Sequence, residues 1–118
     1  MIDLAYHQSI QEHLRSLAEL DEQVGPSELI CGWFDDLYLP SERECPDGYP
    51  IEIWEKGQSE SQACFTGVEL QALADFHRVF EHHVDGLPLD SPVWTNDSGW
   101  LAVRDAARVA VERFGTAA

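Results

Sequence analysis

The side chains able to do chemistry in this chain are five histidines, three cysteines and 22 aspartates and glutamates. Imidazole is the commonest transition-metal ligand, and a metal-binding helix presents two of them four residues apart on one face. The spacing here does not supply that pair. On a helical wheel His7 and His13 fall about 120° apart, and the adjacent His82 and His83 diverge by about 100°. His13 and His83 both point into apolar arcs, which suits core histidines that meet one another or bond locally. No metal ligand set and no cofactor is expected.

A cysteine nucleophile needs a thiolate, made by a neighbouring base or by a helix N-terminus. Cys64 precedes a helix start, whereas Cys31 belongs to an apolar helical face. With Cys45 they are odd in number and lack any CxxC spacing, which favours reduced thiols over a disulfide framework or a zinc knuckle. Adjacent acids such as Asp35 and Asp36 follow from composition alone. There is no phosphate-binding loop, dinucleotide glycine fingerprint or nucleophile elbow. The balance leans away from an enzyme; one that uses the His13 and His83 region or Cys64 stays as an alternative.

Charge narrows the partners. The chain of 118 residues carries 22 acids against seven bases, a formal charge of −15. Direct nucleic-acid binding is excluded, because phosphates are held by Lys and Arg that displace counterions. Residues 1 to 75 hold 16 of the acids and three of the bases, so the negative charge is concentrated in the first two-thirds. At 44% hydrophobic and 10% aromatic, the sequence is too apolar for a disordered acidic tail. Its length suits one helical domain over residues 1 to 118. The N-terminus has no basic, apolar leader and no stretch approaches a membrane span, so a cytoplasmic protein is expected.

The elements that must position these groups read as an all-α fold: four to five amphipathic helices in an irregular bundle. From Asp3 to Val24, the residues Tyr6, Ile10, Leu14, Leu17, Leu20 and Val24 share an arc of about 120°, and Gly25 with Pro26 stops the helix. A second helix is expected from Ser27, its N-cap, to about Leu39, with Gly32 as a weak point inside it. Thr66-Gly67-Val68-Glu69 is a capping box that opens a third helix, whose apolar arc of about 200° marks it as the central one. The last helix opens at Asn96 or Asp97 and runs to Phe114, with Gly115 beyond it and Trp100, Val103, Ala107, Ala110, Val111 and Phe114 as its stripe.

Between these lies one long acidic loop, about residues 40 to 64, punctuated by Pro40, Pro46, Gly48, Pro50 and Gly57. The alternation of Tyr49, Ile51 and Ile53 leaves room for one short extended segment there. Long connections in compact domains are often functional. Tyr49 and Trp54, flanked by Glu52 and Glu55, have the composition of a recognition surface: an aromatic anchor ringed by charge that steers a basic partner. Asp35 and Asp36 add to that charge. Equally, Trp54 can pin the loop to the core, and Trp33 and Trp94 carry the same two readings.

The expectation is therefore a small acidic protein that binds a basic protein, in the manner of an inhibitor, immunity or adaptor protein, with partner-binding residues Asp35, Asp36, Tyr49, Glu52, Trp54 and Glu55. A nucleic-acid mimic, with rows of carboxylates in place of phosphates, is the alternative within the binding class. Acidity that only keeps the protein soluble is the plainest reading. Oligomeric state is not set by any of these patterns.

Overall fold

A computed structural model describes residues 4–37 and 47–116. The chain is all-α, with helices α1 (Leu4–Glu19), α2 (Pro26–Cys31), α3 (Ile51–Gln62), α4 (Gly67–His83) and α5 (Ser98–Thr116). Residues 40 to 46 of the expected loop, Cys45 included, and the expected helix start at Asp3 lie outside the described residues.

α1 forms where the sequence places it, and Ile10, Leu14, Leu17 and Leu20 are buried along its inner face. It stops earlier than its apolar pattern, because Leu20 adopts φ +48° and turns the chain. The Leu20 amide donates to the Leu17 carbonyl and the Asp21 amide to that of Ser16, which is the Schellman pairing of a helix C-terminus. Leucine in this left-handed region costs about 1–2 kcal/mol that glycine would avoid. Leu20 is nevertheless 5% exposed, and burying a leucine contributes about 1.5–3 kcal/mol. Burial wins, so Leu20→Gly is expected to destabilise the protein, by about 1 kcal/mol net in urea denaturation. A gain in stability would show that strain dominates instead.

The second helix begins earlier than expected, while its expected end near Leu39 lies outside the described residues. Gly25, not Ser27, is the N-cap, with Pro26 in the first turn. After Cys31 the helix widens into a π-helical turn, Gly32–Leu37. Gly32 is a point of close approach: a Cβ there would lie 2.7 Å from Cε1 of His13. That imidazole is held by a bond to the Leu29 carbonyl (2.9 Å) and by stacking on Trp33.

Trp33 is fully buried and wedges α1 apart from α4. The indole stacks with His13 of α1 and meets Phe76 of α4 edge to face, with ring centroids 4.9 Å apart in the second pair. Its N–H donates to Nδ1 of His77 at 3.1 Å. Because indole nitrogen only donates, Nδ1 must accept, and the His77 ring proton sits on Nε2 facing Glu81 at 3.0 Å.

α4 opens with the capping box read from the sequence: Glu69 N–H donates to the Thr66 hydroxyl, and Thr66 N–H to the Glu69 carboxylate. Two neighbours cover α4, as its wide apolar arc requires: α5 on one side and Trp33 with Phe34 on the other. The central helix is nonetheless α5, which packs along both α1 and α4. Alanines at 107 and 110 in its buried stripe permit that double approach. Asp97 caps it through Gly99 and Trp100 N–H, and it continues to Thr116, past Phe114.

The basic residues of this half are used inside the fold. Arg108 donates to the Ala18 carbonyl at the end of α1, and Arg113 reaches Asp75 across α4 and α5 at 2.7 Å. That hydrogen bond, helped by Gln71 and by the charges of Arg113 and Arg78, holds the Asp75 carboxyl below its ordinary value. A lowered folded-state value means the tie contributes fully above the usual carboxylate range and is lost as pH falls through the lowered pKa.

Candidate functional site

The expected loop contains a helix. α3 spans Ile51–Gln62 with Pro50 as its N-cap and Glu52 in the first turn. Proline at that position sacrifices nothing, since the first amides of a helix have no intrahelical partner. Trp54 N–H donates to the Pro50 carbonyl, and Lys56 with Glu60 forms an i, i+4 pair at 3.9 Å. No strand occurs among the described residues: Ile51 and Ile53, read as alternating, stand about 200° apart on the helix.

α3 leaves the bundle as an arm. It makes little backbone contact with the other described helices, and its buried end is the C-terminal one, with Ser61 inside the helix and Cys64 and Phe65 just beyond it. At the far end Tyr49, Ile51 and Ile53 are 49%, 54% and 57% exposed. Trp54 is half-buried, and the aromatic it meets is Tyr49, edge to face with centroids 6.2 Å apart. It takes no part in the core, whereas Trp33, Trp94 and Trp100 are all buried there. Among the described residues Trp54 stays outside the core, whereas burial overturns the recognition reading of Trp33 and Trp94.

Tyr49, Ile53, Trp54, Gly57 and Gln58 line a cleft of about 190 Å³ on this arm. Glu52 and Glu55 are exposed on the outer side of the same helix, and Asp47 is exposed just before Tyr49. These three carboxylates make no ion pair with any described residue. Four of the six residues expected to bind a partner, Tyr49, Glu52, Trp54 and Glu55, therefore share one projecting element. Asp35 and Asp36 belong to a different one, the π-helical turn, and their side chains are outside the described part.

No family model matches this chain, and neither does any curated protein or solved structure. Its function has to be argued from its own surface.

The histidines and cysteines are placed as follows. His13 and His83 do not meet: the first lies between Gly32 and Trp33, the second beside His82 and Gly99. His7, unassigned by the sequence, bonds buried Glu69 at 2.7 Å and stacks on Phe65. No group of three metal-ligating side chains occurs among the described residues. Cys64 is buried with its thiol directed at the Glu60 carbonyl, 3.4 Å away, while Cys31 is exposed rather than on a buried face. No described helix is long and apolar enough to cross a membrane.

Sequence reasoning missed Ile51 and Ile53 as surface anchors. Their exposure goes with the slight contact between α3 and the other described helices, which no single-residue pattern encodes. Gly57 is the other oddity of the arm. A glycine inside a helix costs about 1 kcal/mol relative to alanine, and nothing lies within 4 Å of where a Cβ at Gly57 would be. Gly57→Ala should therefore stabilise α3, slowing amide exchange across residues 51 to 62 about fivefold. Faster exchange in the variant would mean that the added methyl group collides.

Proposed function

We propose that the protein binds a basic protein partner through α3, which enters an apolar groove on that partner as a helical ligand. The observation that carries this reading is the grouping of Tyr49, Ile51, Ile53 and Trp54 at the exposed end of an arm whose carboxylates Asp47, Glu52 and Glu55 make no ion pair with a described residue. The division of labour is physical. The net charge of −15 accelerates encounter with a cationic surface. Aromatic and aliphatic anchors then set the lifetime of the complex, since desolvated anchors of this kind dominate interface energies. Cys31, exposed and in no disulfide, suits a reducing compartment, and we take the cytoplasm as the setting of this binding.

A photo-crosslinking residue in place of Ile53 tests the reading, with the same probe at exposed Val109 of α5 as control. The expected product is a Lys- and Arg-rich protein joined at 53 and not at 109, its yield falling with salt. Trp54→Ala should weaken that complex tenfold or more while the helical circular dichroism persists, because Trp54 lies outside the core. Glu52→Gln with Glu55→Gln should act mainly on association rate. Equal labelling from both positions, or partners without excess positive charge, would remove the basis for the proposal.

A further inference from the structure

The cleft on α3 has aromatic walls and a floor, and the helix that carries it bears exposed carboxylates; together these specify what fills it. Tyr49 and Trp54 stand nearly perpendicular, at 78°, and so form two walls of an aromatic corner. Ile53 adds an apolar side, and Gln58 completes the lining. The floor is Gly57, the helical position where any other residue would project a side chain into the roughly 190 Å³ of open space. The π-faces of tyrosine and tryptophan attract cations, and a partly enclosed corner of aromatic rings is the usual receptor for one.

We infer that this cleft receives an arginine side chain of the basic partner, its guanidinium stacked in the Tyr49–Trp54 corner; the inference rests on the binding role proposed above. Arginine fits better than lysine on two grounds. Guanidinium is planar and stacks on aromatic faces, and it gives up its hydration more readily than ammonium does. A second copy of this chain is a poor occupant, because two molecules of charge −15 repel and their carboxylate-bearing arms would meet head on. A neutral apolar side chain would leave the acidic character of the arm without use.

The test uses the full chain and three short peptides: alternating glycine–arginine, glycine–lysine and glycine–norleucine. Binding is followed by the Trp54 indole and Tyr49 ring signals in NMR spectra. The arginine peptide should shift both sets of signals and bind about fivefold more tightly than the lysine peptide, the size of an exposed cation–π contact. Norleucine should not bind. Gly57→Leu fills the cleft with a good helix former, so it should abolish the arginine preference while leaving charge-driven binding at the lysine level. Trp54→Leu should do the same. Equal affinities for the two cationic peptides, with Trp54 unmoved, overturn the cleft assignment and leave the basic-partner reading standing. Failure of both cationic peptides to bind overturns the assignment together with the reading beneath it.

Discussion

Trp33→Ala is expected to cost about 3–5 kcal/mol, the range for removing a fully buried large aromatic side chain. A chain of this length has a total stability on the order of 6–18 kcal/mol, so the variant forfeits a large share of it and melts about 10–20 °C lower. The cost is high because the indole does three jobs at once. It stacks on His13 of α1, meets Phe76 of α4 and donates its N–H to His77. Truncation opens a cavity between two helices that have little direct contact of their own. Trp33→Phe separates the contributions, since it keeps a ring against Phe76 but leaves Nδ1 of His77 without its donor. That variant should fall between the other two, about 1–3 kcal/mol below wild type. Thermal and urea denaturation check both values. A melting temperature for the alanine variant within a few degrees of wild type would mean that α1 and α4 close up without the wedge.

The second large effect is expected at Glu69. The residue is 7% exposed, and its carboxylate serves two donors, the Thr66 amide at 2.9 Å and the His7 imidazole at 2.7 Å. Glu69→Ala loses its half of the capping box, worth about 1 kcal/mol. It also strands His7 between Phe65 and Phe114 with its bond unmade, adding about 1–3 kcal/mol. The sum, about 2–4 kcal/mol, should appear as a lower urea midpoint with an unchanged slope. Thr66→Ala removes only the reciprocal half of the cap and should cost about 1 kcal/mol. Equal losses from the two variants would show that the His7 contact contributes nothing.

Much of this architecture is legible in the amino-acid pattern, and what escapes does so for identifiable reasons. The α1 and α5 stripes and the Thr66–Glu69 box were visible because each places apolar or capping groups at helical spacing around a buried face. The end of α1 was obscured because Leu20 and Val24 continue the apolar arc although the chain has already turned at Leu20. α3 was hidden for the opposite reason: its only fully buried residue among those described is Ser61, so it has no apolar stripe to find, and Pro50 and Gly57 resemble loop punctuation. The sign that remained was Pro50 at a helix entry with Glu52 behind it and a Lys56–Glu60 pair one turn apart. Composition singled out Tyr49 and Trp54 but could not separate Trp54 from Trp33 and Trp94, because only the packing decides which indole stays outside.

The arm's near-independence of the bundle has a consequence for how such a protein can change over time. Substitutions at the tip leave the helices that hold the molecule together untouched, so specificity can drift while the scaffold stays fixed. A bundle built this way is a handle for interchangeable heads, and grafting a foreign helix between residues 50 and 63 is the natural way to give it a new target.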